Sequence, residues 1–387
     1  MEKIMSDLFN TPERRGSDSV KWGIYGGDVL PMWVADMDFT SPKAVIEALR
    51  KRVEHGVFGY PLDSVELAEQ MVERMKKLYD WEITTHDLLF IPGVVPGFNL
   101  VCQTVTRPGE SILIQTPVYA PILHAPQNAQ ARGIHNPLEH QRDGSYGVDF
   151  ESFEAAIAED TRCFLLCNPH NPIGKVFSRS ELERMAEICL RHDVIVCSDE
   201  IHSDLVYPGN VHLPIATLSP QTAENTITLI APSKTYNIAG LECSILICTN
   251  PILMEKVKAE RRGLMGGVNL MGMAAGTAAY RDGEEWLKEV LKTLKDNRDF
   301  LNEFVRDRLP EIKMHLPEAT YLAWLDCREL ALEEGPYKFF LKRASVALNK
   351  GEEFGEEGGG FVRLNFGCTH ATLEEALLRM ERAVKGS

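Results

Sequence analysis

Between about residue 85 and residue 250, short runs of consecutive apolar residues alternate with stretches in which apolar residues recur every three or four positions. A strand covered on both faces is apolar throughout, and helical spacing between such runs describes helices lying on a sheet. The region therefore reads as repeated βα units around a mainly parallel sheet. The runs are Leu88 to Ile91, Ser111 to Gln115, Cys163 to Cys167, Val194 to Cys197, Thr226 to Ile230 and Ser244 to Cys248. Ser178 and Glu181 have the spacing of a capping box, and Leu182, Met185, Ala186 and Cys189 follow at helical intervals. Another helix is expected after Gly97, where Phe98, Val101, Cys102 and Val105 form an apolar stripe. From Glu284 onward the pattern changes to a long amphipathic helix carrying Trp286, Leu287, Val290, Leu291 and Leu294, then strand-like pieces, then a final helix from Thr372 to Val384. This reads as a second, α+β lobe. The stretch Lys350 to Gly360, rich in glycine and glutamate, reads as a mobile surface loop, or as a lid if it borders a site.

A chain of 387 residues exceeds the usual size of one core, so two domains, or one large domain with a smaller lobe, are expected. Its formal charge of -15, with no basic tract to offset it, repels phosphate backbones and anionic lipid, which excludes nucleic acid as a natural partner. Met1 to Asp7 carry no apolar signal region, and no apolar stretch is long enough to span a bilayer, so residence in the cytoplasm is the expectation. The nine cysteines, among them Cys163, Cys167, Cys197, Cys243 and Cys248, form no Cys-x-x-Cys pair and read as small core residues in a reducing compartment. Neither they nor the histidines have metal-ligand spacing, and no metal is expected.

In open α/β sheets ligands collect beyond the carboxyl ends of strands, so the residues after each run form one candidate site. Pro92-Gly93-Val94-Val95 leads into a helix whose first amides suit a phosphate, although Gly93 alone also fits an ordinary turn. Tyr119 follows the second run and can stack on a planar ring or fill the core. Asn168-Pro169-His170-Asn171-Pro172 is a stiff turn able to aim an amide donor. Asp199 stands where a carboxylate could bind a pyridine nitrogen, a helix cap being the plainer account. Lys234, in Ala231-Pro232-Ser233-Lys234-Thr235-Tyr236-Asn237, lies at the end of a buried strand. There an amine surrounded by apolar walls and other cations loses its proton readily and can form a Schiff base with pyridoxal phosphate, a solvated loop lysine being the plainer account of the Ser-Lys pair taken alone. Arg363, inside the apolar strand Phe361 to Phe366, requires an anion, either a substrate α-carboxylate or an internal Asp or Glu.

The order glycine turn, tyrosine, Asn-Pro turn, aspartate, lysine, arginine resembles the fold-type I pyridoxal-phosphate enzymes, the aspartate aminotransferase superfamily. Arg14 to Trp22, Pro31 to Phe39, Phe58-Gly59-Tyr60-Pro61, Ser233 to Gly240 and Ala319 to Asp326 narrow the resemblance to the MalY/PatB group of cystathionine and cysteine-S-conjugate β-lyases. The resemblance implies an α/β fold with a seven-stranded, mainly parallel sheet in a large cofactor-binding domain and a smaller α+β domain. The divisions are 1–45 joining the small domain, 46–283 and 284–387. It implies that Lys234 binds the cofactor and acts as catalytic base, that Asp199 pairs with the pyridine nitrogen, and that Asn168 donates to the ring 3-oxygen. Tyr119 stacks and touches substrate, Ser233 with the amides at Gly93, Val94 and Val95 cups the phosphate, and Arg363 clamps the substrate carboxylate. Tyr60 reaches the neighbouring subunit's phosphate, making the active unit a homodimer, and Tyr60 or Tyr119 assists proton transfer. His202 stands where many aminotransferases have tyrosine and Glu242 where they have a phosphate-binding arginine, both pointing to the lyase branch. The activity implied is α,β-elimination of L-cystathionine or a related S-conjugate to pyruvate, ammonia and a thiol. An aminotransferase and a cofactor-holding regulatory protein are the alternatives.

Overall fold

The computed structural model describes residues 11–386, so the expectation drawn from Met1 to Asp7 lies outside the described residues. Seven strands form the principal sheet: β1 (Leu88–Ile91), β2 (Ser111–Thr116), β3 (Arg132–Pro137), β4 (Thr161–Cys167), β5 (Ile195–Asp199), β6 (Thr226–Ile230) and β7 (Ser244–Ile247). Their spatial order is β1-β7-β6-β5-β4-β2-β3; β7 runs antiparallel to both neighbours and the other pairings are parallel. All six apolar runs are strands, and the fully buried β1, β2, β6 and β7 show why the runs are continuous: helices cover both faces.

One strand was not expected from the sequence, and one helix starts earlier than expected. β3, at one edge of the sheet, has no apolar run because its side chains are left open to water: of its six residues only Asn136 is buried. The helix placed after Gly97 begins at Val94 and runs to Val105. Gly93, at φ 147°, turns the chain into it, and Pro96 is tolerated in the first turn because amides there have no helical partner. The capping box stands as read: Ser178 Oγ accepts the Glu181 amide at 3.2 Å, and Glu181 Oε2 accepts the Ser178 amide at 2.8 Å.

A second sheet has the order β8 (Lys313–Met314), β9 (Leu322–Asp326), β11 (Phe361–Asn365), β10 (Asn349–Lys350), antiparallel throughout. The helices Glu284–Arg308 and His370–Lys385 pack over it, burying Val290, Leu294 and Leu301 against Leu364, Phe366 and Leu377. Met32, Met37 and Phe39 belong to the same core, and Leu30–Pro31 pairs in parallel with Val346–Ala347, so the N-terminal segment is built into this part of the molecule. Among the described residues, no helix is long and apolar enough to cross a membrane.

Residues 350–360 do not form the surface loop that composition suggested. The segment folds into two short turns around buried Phe354, whose ring meets Trp324 edge-on at 5.3 Å and whose carbonyl accepts the Val118 amide at 2.7 Å. Its glycines serve close packing of backbone on backbone: a Cβ on Gly358 would lie 1.9 Å from the Gly351 carbonyl oxygen. Gly358→Ala is therefore expected to destabilise the protein by about 1–3 kcal/mol, read as a lower urea midpoint, because a rigid main chain blocks the added methyl. An unchanged midpoint would show that the two turns can separate at no cost.

Candidate active site

Since β4, β5 and β6 are parallel neighbours, the residues that follow them emerge along one edge. Cys167 faces Asp199 in register, and Asp199 faces Leu229, which places Asn168, Asp199 and the turn carrying Ser233 and Lys234 side by side. Tyr119 follows β2 on one flank and Gly93 follows β1 on the other.

Lys234 Nζ donates to the Ala35 carbonyl at 2.7 Å. Burial, helped by the positive charge of Arg363, pulls its amine down to about 8, against the opposing charges of Asp36 and Asp199. An appreciable neutral fraction, the nucleophilic form, therefore exists near neutral pH. Burial drives the Asp199 carboxyl up to about 7, although the Ile201 amide donates to Oδ1 at 3.1 Å and Lys234 lies close enough to oppose the shift. No helix follows directly on Asp199, so the contact with Ile201 closes a turn and not the helix that the plainer account required; it occupies one oxygen. His202, buried edge-on to the Tyr321 ring at 6.1 Å, is held down to about 3 by burial and by the charges of Lys234 and Arg363, so it is neutral.

Arg363, on β11, crosses from the second sheet to the first. Its Nη1 donates to Asn171 Oδ1 at 2.9 Å, and its Nη2 donates to the Trp33 carbonyl at 3.0 Å and to Asn349 Oδ1 at 2.5 Å. These partners are all neutral, the guanidinium lies 4.9 Å from the centre of the Phe354 ring, and burial pulls it down to about 10. Among the described residues, no carboxylate bonds the guanidinium directly; Glu353 acts on it only by charge, from beyond Asn349. Tyr119, half-buried, donates its amide to the Asn171 carbonyl at 3.0 Å, and burial raises its phenol. Asn168 Nδ2 donates to the Leu213 carbonyl at 3.2 Å, which leaves its second N–H for a ligand. Ser233 is buried in the turn Pro232–Thr235. Val94 and Val95 open their helix, so their amides lack helical partners.

Two sequence candidates stand apart. Glu242 is exposed at a left-handed position after Ala239–Leu241. Tyr60 is fully exposed between the helices Lys43–His55 and Val65–Tyr79, beside exposed Phe58 and Leu62, and within one chain it does not join this cluster.

The sequence reading missed the carbonyls of residues 33–36. Ala35 O accepts from both Lys234 and the Tyr321 hydroxyl, the latter at 2.9 Å. Asn365 Nδ2 donates to Val34 O at 2.5 Å and Asp36 O at 2.7 Å, and Asn237 brackets Met37 from both sides. Asn365 was discoverable as an amide ending an apolar strand; a main-chain carbonyl leaves no mark in a sequence.

Arg363 Nε, Asn168 Oδ1 and His202 Nδ1 are buried without a hydrogen-bond partner. Such groups are costly, and here they border an amine and an acid that influence each other's charge. An amine for an aldehyde, an acid for a ring nitrogen, amides for a phosphate and an unpaired arginine for a carboxylate together fit pyridoxal phosphate and an amino acid.

Comparison with known proteins gives the same direction. The profile of the aminotransferase class I and II family matches residues 28–380. Cystathionine β-lyase PatB of Bacillus subtilis is 40% identical over 381 residues, which cover 96% of this chain and 98% of PatB. The protein MalY of Escherichia coli is 32% identical, covering 98% of this chain and 99% of MalY. The crystal structure of cystalysin from Treponema denticola, which contains pyridoxal 5'-phosphate, matches with a TM-score of 0.94 at 33% identity, covering 97% of this chain and 98% of cystalysin.

The raised Asp199 carboxyl has a consequence for stability. Its folded value of about 7 exceeds the ordinary 3.8, so the fold holds this proton more tightly than the unfolded chain does. That contribution is present below about pH 4 and is lost as pH rises through about 7. Asp199→Asn keeps an oxygen for the Ile201 amide without the charge. Free of cofactor it should be more stable than wild type above pH 7, by up to about 4 kcal/mol, and should show no such gain below pH 4, measured as urea midpoints across pH. A pH-independent difference would mean that Asp199 is not desolvated.

Proposed function

We propose, for a chain that belongs to the aminotransferase class I and II family, that it is a pyridoxal-phosphate-dependent carbon–sulfur β-lyase. Its substrate is L-cystathionine or a related cysteine S-conjugate, and its products are pyruvate, ammonia and a thiol, homocysteine in the case of cystathionine. The observation that carries this reading is the amine of Lys234, desolvated and held at about 8 on the same strand edge as Asp199, beside an arginine whose hydrogen-bond partners are all neutral.

The bound cofactor supplies an electron sink for the pair released when a bond to Cα breaks. Lys234 anchors the aldehyde carbon, and its freed amine takes the Cα proton onto Nζ. Asp199 keeps a proton on the ring nitrogen, Asn168 donates to the ring 3-oxygen and Tyr119 stacks against the ring face. Ser233 and the Val94 and Val95 amides, with the Gly93 turn, hold the phosphate. Arg363 takes the α-carboxylate bidentately, which relieves its unsatisfied Nε–H side and aligns the Cα–H bond. Neutral His202 lines the ring without adding charge. When the β-carbon carries sulfur, the pair left at Cα would form the Cα–Cβ double bond as the C–S bond breaks with its own pair going to the thiolate, and water would then release pyruvate and ammonia.

The active unit in this proposal is a homodimer. Exposed Val57, Phe58, Tyr60, Leu62 and Val65 form an apolar strip that supports an interface, with Tyr60 reaching the phosphate of the other subunit. The division into 1–45, 46–283 and 284–387 belongs to the same proposal, supported by the common core of Met32, Phe39 and Leu364. So does residence in the cytoplasm, supported by nine cysteines that are all buried and unpaired.

Purified protein given cystathionine and no 2-oxo acid should release pyruvate and homocysteine. A requirement for an added oxo acid would identify an aminotransferase, and no turnover in either case a binding protein. Arg363→Ala should raise KM for cystathionine about 10- to 100-fold with a smaller effect on kcat, the loss of one charged bidentate contact; an unchanged KM would place the carboxylate elsewhere. Tyr60→Phe should weaken cofactor affinity while sedimentation still reports a dimer, and undiminished affinity would remove Tyr60 from the phosphate site.

A further inference from the structure

We infer that Tyr321 is a positioning residue for Lys234, acting through the main-chain carbonyl of Ala35. The inference rests on the lyase reading, and nothing in the family resemblance assigns Tyr321 a role.

The Ala35 oxygen accepts from Lys234 Nζ at 2.7 Å and from the Tyr321 hydroxyl at 2.9 Å, which uses both lone pairs of one carbonyl. The carbonyl is held at its flanks. Arg363 binds Trp33 O, Asn365 binds Val34 O and Asp36 O, and Asn237 donates to Met37 O at 2.9 Å. Tyr321 is equally fixed: it is fully buried, its ring meets His202 edge-on, and its carbonyl accepts the Phe366 amide at 2.9 Å. Lys234 hangs from the first sheet and Tyr321 leads into β9 of the second, so Ala35 is where the two sheets meet the amine.

Two effects follow. An amine that donates one N–H to a fixed oxygen has its side-chain direction held and its lone pair limited to the two remaining tetrahedral positions, both pointing away from that oxygen. A hydroxyl sharing that oxygen also weakens its hold on an ammonium more than on an amine, because the charged donor draws more strongly on the same electron density. Tyr321 thus favours the neutral, base-competent state of Lys234. Burial keeps the phenol itself un-ionised.

The simpler account is that Tyr321 merely satisfies a buried carbonyl. Tyr207 supplies a comparison: it is as deeply buried, and its hydroxyl donates at 2.6 Å to Thr320 O, the carbonyl of the peptide that leads into Tyr321, which Lys234 does not share. Tyr321→Phe and Tyr207→Phe each delete one such bond, and the first leaves the ring against His202 in place.

In full-length protein freed of cofactor, the pH dependence of Lys234 acetylation by acetic anhydride, read by peptide mass spectrometry, reports the amine directly. Tyr321→Phe should move the midpoint upward by about half a pH unit, slowing labelling about threefold at pH 7, and Tyr207→Phe should leave it unchanged. In loaded enzyme, Tyr321→Phe should lower kcat for cystathionine about threefold or more at neutral pH, with recovery at alkaline pH and KM retained. Should Tyr321→Phe fail to fold, replacing Tyr321 with 3-fluorotyrosine, a stronger donor, should move the labelling midpoint downward. A midpoint unmoved by these changes, or moved equally by Tyr207→Phe, overturns the assignment. If wild-type protein does not turn over cystathionine, the lyase reading fails while the labelling midpoint still decides the role of Tyr321.

Discussion

The site depends on the removal of several ionisable groups from water at one edge of one sheet. In water Lys234 and Asp199 would both be charged at neutral pH and would attract only solvent. Behind the ends of β5 and β6, each loses hydration that the other cannot fully replace, and both are driven toward their neutral forms, at about 8 and about 7. Arg363 and His202 shift for the same reason. The fold thus holds chemical potential for a ligand: an anionic phosphate, a ring nitrogen and a carboxylate would each restore interactions that burial removed.

The second requirement is a joint between two cores. The large sheet carries the amine and the acid, the smaller sheet carries the arginine, and residues 33–37 run between them. This strap makes no regular strand where it passes the site, so its carbonyls are free to be claimed by Arg363, Asn365, Tyr321 and Lys234. Its outer side is tied down by charge. Arg14 bonds Asp38 at 2.6 Å and Asp36 at 2.8 Å, and buried Lys21 bonds Asp38 at 3.0 Å. The segment from Arg14 to Phe39 is thereby part of the site's geometry: its backbone bonds Lys234 at Ala35, and the Asp36 charge acts on the same amine.

Legibility of the fold followed burial. β1, β2, β4, β5, β6 and β7 declared themselves because a strand covered on both faces must be apolar, and the helix after Ser178 because its cap pays for amides that the helix cannot satisfy. β3 was invisible because its own side chains meet water, whereas β1 at the opposite edge is fully buried and was legible; the helix expected after Gly97 begins one turn earlier, where Pro96 needs no amide partner. Residues 350–360 were misread as mobile because glycine supports both looseness and close packing; Gly351 and Gly358 are there for contact.

Lys234, Asp199, Asn168, Tyr119 and Arg363 could be singled out from the chain alone, since strand ends are local and parallel βα units bring consecutive ends to one edge. The choice of chemistry came from their joint order along the chain, an amine and an acid after strands and an arginine inside a later apolar strand, since each alone had a plainer account. Only tertiary structure decided their working state. Whether Arg363 met a carboxylate or only amides and carbonyls depended on Asn171, Asn349 and Trp33, which lie 192, 14 and 330 positions away. Whether Lys234 was solvated or buried against Ala35 depended on a carbonyl 199 positions distant. Residue type is written in the sequence, but desolvation and hydrogen-bond partnership belong to the space around a group, and that space is assembled from segments no local pattern connects.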